Sequence, residues 1–305
     1  GSERAIMSRY ENAIYVTFWD RRGNQLEDKR IKICELPVES SPKEGEMTTT
    51  EVKVGETVLG NEIKMEILSQ ERKEANKRKN VVFIVGGIHH QENTGWFAGD
   101  SSNPGWLALV KKWLEENKEE WKGMEIAMVD INPDGRGRGN PNGVDLNRNF
   151  ACKEVCNWHE TDPNTRSYND PDGPSAMSEP ESKALISATE FLKKRNEVLF
   201  MVSLHNVAPP SGLIDPGYCG EDGRSCEIAQ EIAQLSGARY EEIWPSGDPN
   251  YPEGLGGQPI DYFSLDMGIP AADYEFSQRE PNVKEANRMA KALIKAVKRV
   301  YNLNP

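Results

Sequence analysis

The sequence predicts an α/β fold: a mixed, mostly parallel twisted sheet with helices on both faces, extended at the N-terminus by a short β-hairpin. Continuous apolar runs such as VVFIVGG (81–87) are typical of strands that are covered on both faces. From residue 81 onward these runs alternate with segments of helical apolar spacing, which favours helices packed on a parallel sheet. In the N-terminal part, AIYVTFW (13–19) and KRIKICEL (29–36) flank the turn residues RRGNQ and predict the hairpin.

The predicted elements follow in a regular order. A strand pair with a Gly-containing turn, KVGETVLGNEIKMEIL, comes first, and the later strands are VVFIVGG, MEIAMVD, LFMVSL and IPAADYEF. Helices are predicted over residues 106–114, after Ser178, over CEIAQEIAQL and over VKEANRMAKALIKAVKRVY. Ser178 and Glu181 have the spacing of a capping box, which predicts a helix start there. We expect an N-terminal hairpin extension with a linker over residues 1–47 and one large domain over residues 48–305.

Composition excludes several classes of protein. The chain has 305 residues, of which 37% are hydrophobic, so it can bury a sizeable core and is not a disordered or fibrous protein. The 37 Lys+Arg against 49 Asp+Glu give a net charge of −12, which disfavours a nucleic-acid partner. No apolar run approaches the roughly 18 residues of a membrane span, so no membrane-spanning segment is expected.

The cysteines leave the cellular location open. Two close pairs, Cys152 with Cys156 and Cys219 with Cys226, lie in turn-rich stretches, and Cys34 lies apart from them. Local disulfides would favour a secreted or periplasmic protein over a cytoplasmic one, but free thiols fit the spacing equally well. Neither pair has the CxxC spacing of a cysteine zinc site.

Polar residues follow two of the predicted strands. His89 and Glu92 come directly after VVFIVGG, and His205 ends LFMVSL. Open α/β sheets place their sites at the carboxyl ends of the strands, so these three side chains are expected at one edge. Two imidazoles and a carboxylate suit zinc and leave a fourth position for water. Taken alone, the HxxE pair is also compatible with a surface loop.

A long segment without periodicity, residues 131–177, breaks the alternation of strands and helices. Within it, Arg136, Arg138 and Arg148 fall inside 13 residues of an otherwise acidic chain. Guanidinium groups bind carboxylates in a bidentate manner, so this loop is expected to bind an anionic group of a substrate. Glu275 lies in a predicted buried strand, where a carboxylate needs a partner or a function unless the strand is an exposed edge.

Together these motifs have a characteristic order: HxxE, NPDG, R-x-N-x-x-GVDLNRNF, SLH and a glutamate in a late strand. The set resembles the zinc metallocarboxypeptidases of the carboxypeptidase A type over roughly residues 48–305. The resemblance implies a carboxypeptidase-like catalytic domain with one zinc ion per chain. It also implies hydrolysis of the peptide bond of a C-terminal amino acid by zinc-activated water. The expected partner is a peptide or peptide-like substrate with a free carboxylate.

The resemblance also implies a role for each matching residue. The zinc ligands are His89, Glu92 and His205; Asp145 orients the first of them; Asn147 and Arg148 bind the terminal carboxylate; Arg138 stabilises the oxyanion; and Glu275 is the general base and acid. Arg136 is the competing choice for the oxyanion role, and His90 is interpreted as a bystander beside a ligand. Tyr251 matches a substrate-binding tyrosine with an offset of one residue. Ile260 falls where the family sets side-chain preference, and an apolar residue there disfavours a basic-residue enzyme.

Three other functions remain open. A cell-wall (murein) peptide amidase of the same fold would act at a diaminopimelate bond. A deacylase of the aspartoacylase kind shares HxxE but lacks GVDLNRNF. A non-catalytic peptide-binding module would have kept the fold. Such proteins commonly lose the catalytic base or a metal ligand, whereas this chain has both the candidate base and the candidate zinc ligands.

Overall fold

The structure is a computed structural model that describes residues 4–10, 13–19, 31–35, 46–70, 78–94, 104–150, 173–219, 223–242 and 258–303. The chain divides into two compact units, residues 1–43 and 44–305. The smaller unit contains an antiparallel sheet in the order β1 (Arg4–Tyr10), β2 (Ala13–Trp19) and β3 (Ile31–Glu35). Strands β2 and β3 form the predicted hairpin. Strand β1 was not predicted from the sequence.

The larger unit is built on an eight-stranded sheet in the order β10-β9-β11-β8-β6-β7-β5-β4. The strands are β4 (Met47–Glu56), β5 (Glu62–Gln70), β6 (Lys79–Gly86), β7 (Met124–Asp130), β8 (Asn196–Asn206), β9 (Leu213–Pro216), β10 (Arg239–Tyr240) and β11 (Ala271–Phe276). Strands β11, β8, β6 and β7 are parallel neighbours, whereas β9 is antiparallel to β11, and β5 and β4 form an antiparallel edge. The predicted mixed, mostly parallel sheet is confirmed.

Helices cover both faces of this sheet. They are α1 (His90–Thr94), α2 (Trp106–Glu116), α3 (Pro180–Arg195), α4 (Arg224–Ser236), α5 (Pro259–Leu265) and α6 (Val283–Val300). Side chains of α2, α4 and α6 share a core with Val82 and Ile84, and side chains of α3 and α5 share another with Val81 and Phe83. Successive residues of a strand point to opposite faces, so the apolar run of β6 supplies both cores.

Helix α3 begins differently from the prediction. Its N-cap is Glu179 and its first residue is Pro180, so the capping box from Ser178 to Glu181 is wrong. The carboxylate of Glu181 instead accepts hydrogen bonds from the Val58 backbone N–H and from Asn140 Nδ2. Proline fits the first position of a helix because its missing N–H has no partner there.

Two further findings concern the cysteines and the helices. Cys219 and Cys226 form a disulfide bond. Cys152 and Cys156 lie outside the described residues, so their pairing stays a prediction. Among the helices in the described ranges, none has the length and apolar character needed to cross a bilayer.

Candidate active site

The first two predicted metal ligands follow β6 directly. The chain turns at Gly86 and Gly87, and Gly87 has a φ of 75°. A side chain at this position is disfavoured, because the positive φ strains residues with a Cβ atom and a Cβ on Gly87 would lie 2.1 Å from Asp130 Oδ1. His89 comes immediately after the turn, and Glu92 follows in α1. Residues three apart in a helical turn lie on one side of it, so the two side chains face the same point.

Three buried groups meet at the carboxyl ends of β6 and β8. Glu92 lies between two histidines: its Oε1 is 2.8 Å from His89 Nδ1 and its Oε2 is 2.9 Å from His205 Nδ1. The two Nδ1 atoms are 3.3 Å apart, and none of the three residues is more than 3% exposed. One ligand atom from each residue lies within 4.8 Å of the others. This donor set fits Zn²⁺ in a site that retains a position for water.

The second ring nitrogen of each histidine has its own partner. His89 Nε2 lies 3.0 Å from Asp145 Oδ1. His205 Nε2 lies 2.8 Å from Ser203 Oγ and 3.5 Å from Asp273 Oδ1. Such partners fix the tautomer and the ring orientation of a ligating histidine. Both rings are therefore held with Nδ1 directed to the common centre.

Burial and mutual charge determine the protonation of these groups. Burial acts to raise the pKa of Glu92, but His89 and His205 outweigh it and hold that pKa at about 2. Burial acts to lower the pKa of His205, yet Asp273 and Glu92 raise it well above the usual value. The pKa of His89 is also raised, because Glu92 and Asp145 outweigh burial. The surrounding carboxylates thus favour positive charge at this centre, as a bound cation requires.

Asp145 connects the metal-ligand candidates to the arginine-bearing loop. Besides His89, its Oδ1 accepts the backbone N–H of Asn147 at 2.8 Å, and its Oδ2 accepts Arg138 Nη2 at 3.2 Å. Burial acts to raise the pKa of Asp145, but His89 and the charges of Arg148 and Arg138 hold it below its usual value. One ionised carboxylate therefore orients a metal-ligand candidate and the start of the turn that carries Asn147 and Arg148.

A second set of polar contacts holds this loop against α3. Asn140 Nδ2 donates to Glu179 Oε2 at 2.7 Å and to Glu181 Oε2 at 3.0 Å. Asn140 Oδ1 accepts the backbone N–H groups of Asn142 and Val144 at 3.1 Å each. Glu179 and Glu181 are buried, so these contacts are shielded from water. This role of Asn140 was not predicted from the sequence; the available signal was a pair of acids at the start of a helix.

A cavity of about 410 Å³ opens beside the buried donor groups. Its lining contains the predicted residues His89, Glu92, Arg138, Asn147, Arg148 and Glu275, together with Asn206, Val207, Ala208, Leu213, Asp215, Gln258, Asp273 and Arg279. Burial raises the pKa of Glu275 to about 7, against the opposing charge of His205. A carboxyl group with a pKa near neutrality is suited to both accepting and donating a proton.

The remaining predicted residues lie elsewhere. Arg136 is exposed and does not line the cavity, whereas Arg138 does. His90 Nδ1 lies 2.9 Å from the Asn132 carbonyl oxygen, away from the three donor atoms of the candidate metal centre. Ile260 is 1% exposed and packs in the core through α5, so it does not line the cavity. Tyr251 lies outside the described residues.

Comparison with known proteins gives a family and a fold. The sequence model of the zinc carboxypeptidase family matches residues 43–99 and 123–302. Carboxypeptidase A from Helicoverpa armigera is 18% identical, with 82% of this chain and 68% of that chain aligned and a TM-score of 0.60. Bovine thrombin-activatable fibrinolysis inhibitor is 17% identical, with 83% and 90% aligned and a TM-score of 0.60. At these identities the solved structures show a shared fold alone.

A bacterial structure has the same fold. The metallo-carboxypeptidase from Pseudomonas aeruginosa is 14% identical, with 83% of this chain and 64% of that chain aligned and a TM-score of 0.50. It was solved in complex with (2-guanidinoethylmercapto)succinic acid. No curated protein matches the chain in sequence.

Proposed function

This chain belongs to the zinc carboxypeptidase family, and from that premise we propose that it is a zinc-dependent metallocarboxypeptidase. The proposed reaction is hydrolysis of the peptide bond that joins the C-terminal amino acid to its peptide. The observation that carries the proposal is one cavity lined by two of the metal-ligand candidates, His89 and Glu92, by Glu275 and by the carboxylate-binding candidates Asn147 and Arg148. Each of these groups is needed for cleavage next to a free carboxylate.

The metal would be held by His89, Glu92 and His205. When bound, zinc lowers the pKa of a coordinated water towards about 7 and polarises a carbonyl group. The chain itself supplies the orientation of the ligands, because Asp145 and Ser203 hold the second ring nitrogens of the two histidines. Those outer partners also keep both histidines in the tautomer that a metal requires.

Glu275 would transfer the proton. It accepts a proton from the attacking water and returns it to the nitrogen of the leaving amino acid as the C–N bond breaks. The pKa of about 7 supports this dual role, since neither protonation state is strongly disfavoured at neutral pH. Water thereby adds a hydroxyl group to the carbonyl carbon and a proton to the amine, which releases the C-terminal amino acid and the shortened peptide.

The arginine-bearing loop would position the substrate. Arg148 and Asn147 would bind the terminal carboxylate through the N–H groups of their side chains, and both residues line the cavity. Arg138 would stabilise the negative charge that develops on the carbonyl oxygen, a contribution that is often the largest in acyl transfer. Its bond to Asp145 supports this orientation.

The test is hydrolysis of peptides by the zinc-loaded protein, followed by identification of the product. N-blocked dipeptides with apolar, basic and acidic C-terminal residues, together with a murein tripeptide, form the substrate panel. We expect release of the free C-terminal amino acid, loss of activity on chelation, and no cleavage when the terminal carboxylate is amidated. Cleavage of amidated peptides at an equal rate would contradict the proposal. Release of diaminopimelate from the murein peptide alone would favour the amidase.

A further inference from the structure

The chain leaves the central sheet directly after the candidate proton-transfer group. In β11 the ladder with β9 ends at Glu275, and the ladder with β8 ends at Phe276. Ser277 is the first residue beyond both ladders, so its backbone N–H needs an acceptor from another part of the chain. Phe276 alone separates Ser277 from Glu275 in sequence, so whatever holds Ser277 also holds the end of the strand that carries Glu275.

A buried carboxylate of α6 supplies that acceptor. Glu285 Oε1 accepts the Ser277 backbone N–H at 2.7 Å, and Glu285 Oε2 accepts the Ser277 hydroxyl at 3.0 Å. Glu285 is 5% exposed, so both hydrogen bonds are shielded from water. Hydrogen bonds to a charged acceptor are stronger than neutral ones. Glu285 therefore fixes the first residue after β11 at two points.

The direction of the Glu285 side chain is not explained by its own helix. Asn282 is the N-cap of α6, and its Oδ1 accepts the Glu285 backbone N–H at 2.9 Å. This contact is one half of a capping box, in which the third helical residue would bond back to the backbone N–H of the N-cap. The shortest hydrogen bond of each Glu285 oxygen runs to Ser277 instead. The side chain thus connects the start of α6 to the end of β11.

The main chain of Glu275 packs against the same carboxylate. A Cβ atom on Gly212, which has a φ of 83°, would lie 2.8 Å from the Glu275 carbonyl oxygen and 3.6 Å from Glu285 Oε1. The Phe276 carbonyl oxygen accepts the Ala208 backbone N–H at 2.9 Å. Main-chain contacts and the Glu285 side chain together hold the end of β11, in a region without room for displacement.

We propose that Glu285 is a positioning residue for Glu275. Glu285 lies outside the lining of the cavity and acts through the chain at Ser277, whose placement sets the direction from which the Glu275 side chain enters the cavity. Proton transfer depends closely on the placement of the reacting group. Loss of the contact should therefore slow the chemical step more than it weakens substrate binding. The inference rests on the proposed function, because it concerns the proton transfer by Glu275.

Three substitutions of Glu285 separate geometry from charge. Glu285→Gln keeps the length of the side chain, and its amide can accept the Ser277 N–H with the oxygen and donate to the Ser277 hydroxyl with the nitrogen. Glu285→Leu removes both acceptors. Glu285→Asp keeps the charge but is one methylene group shorter, and it serves as the test if Glu285→Leu does not fold.

Kinetics of the zinc-loaded proteins give the first readout. We expect Glu285→Leu and Glu285→Asp to lower kcat about tenfold or more with KM altered less than about twofold, and Glu285→Gln to stay within about threefold of the wild-type kcat. Each variant should retain one zinc ion by metal analysis. A wild-type kcat in both Glu285→Leu and Glu285→Asp would overturn the inference. An equal fall in Glu285→Gln would also overturn it, because charge and not position would then matter.

Glu125→Leu is the matched control for loss of a buried glutamate. Glu125 is buried, accepts the Ser69 hydroxyl and pairs with Lys79. It lies at the second position of β7, near the edge of the sheet opposite the metal-ligand candidates. Glu125→Leu should lower the Tm and leave kcat unaltered. A fall in kcat equal to that of Glu285→Leu would assign the effect to general destabilisation and overturn the inference.

Amide hydrogen exchange gives a readout that does not depend on activity. Exchange at Ser277 should be about tenfold or more faster in Glu285→Leu or Glu285→Asp than in the wild type, and close to the wild-type rate in Glu285→Gln. Unchanged exchange in Glu285→Leu and Glu285→Asp would overturn the inference. Failure of the zinc-loaded wild type to hydrolyse any peptide would instead overturn the proposed function.

Discussion

Glu275 and His205 lie directly opposite each other in the parallel ladder between β11 and β8. The candidate proton-transfer group and a candidate metal ligand are therefore held by main-chain hydrogen bonds between neighbouring strands at the centre of the sheet. Sites built on rigid elements hold their geometry more closely than sites on loops. Hydrolysis next to a metal depends on that geometry, since small misplacements of a reacting group are costly.

Replacement of Glu275 should separate metal binding from catalysis. We expect Glu275→Gln to keep one zinc per chain and to lower kcat by at least about 10²–10⁴-fold, because the amide cannot accept the proton of the attacking water. Zinc would be measured by metal analysis, and kcat with the best substrate of the panel. Full activity in the variant would refute the proposed role of Glu275.

Loss of a histidine should distinguish a ligand from its neighbours. His205→Ala removes one of three donors and should abolish stoichiometric zinc binding in dialysed protein. His90→Ala is the matched control, because His90 lies beside His89 in sequence but its Nδ1 contacts the Asn132 carbonyl oxygen. The control should retain one zinc ion. Wild-type occupancy in His205→Ala would exclude His205 as a ligand.

Asp145 should affect metal affinity without being a ligand. Asp145→Asn keeps the size of the side chain but removes the charge that orients His89 and Arg138. Substitution of such outer partners typically weakens metal affinity by about 10–100-fold. Competition with a chromophoric chelator would measure this change. An unaltered zinc affinity would show that His89 needs no such orientation.

The two arginines of the cavity should differ in their kinetic effects. Arg148→Met removes a group proposed to bind the terminal carboxylate and should raise KM by roughly 10- to 100-fold. Arg138→Met should instead lower kcat, by about 10²–10³-fold, because its contribution is largest in the transition state. Exposed Arg136 provides the control, and Arg136→Met should change neither constant. A larger fall in kcat in Arg136→Met than in Arg138→Met would reverse their assignment, and equal falls would contradict it.

Asp261 should make stability depend on pH. Its pKa rises from 3.8 to about 7 on folding, chiefly through burial and then the charge of Asp273. Between these values the native state binds more protons than the unfolded state, so the free energy of unfolding should fall as pH rises from about 4 to 7. Asp261→Asn should reduce that fall and stabilise the protein at pH 8 by on the order of 1–3 kcal/mol. Denaturant unfolding of the wild type and of Asp261→Asn at several pH values checks this, and the same fall in both proteins would contradict it.

The sequence predicted those parts of the fold and site that depend on short segments. The apolar run of β6 and the polar residues that follow it placed His89 and Glu92 at the end of a buried strand. The order of the motifs identified the family that the comparisons confirm. The helix start at Ser178 was wrong because Glu181 contacts Val58 and Asn140, which are distant in the sequence.

Other features depend on register and rotation, which short segments do not encode. Asp215 and Asp273 become neighbours only through the pairing of β9 with β11. Ile260 and Phe263, three residues apart on α5, face the core together, and the rotation of that helix was not predictable from its residues alone. The support of the loop by Asn140 and the two buried glutamates likewise arises from tertiary contact.

The placement of two cavity-lining aspartates on different strands has a consequence for engineering this protein. Asp273 shares β11 with Glu275, so changes around it endanger the candidate proton-transfer group. Asp215 lies instead on β9, a strand of four residues that contains none of the predicted catalytic or metal-ligand residues. Redesign of the cavity should therefore begin at Asp215, where a new side chain can alter the lining while the central strands remain as they are.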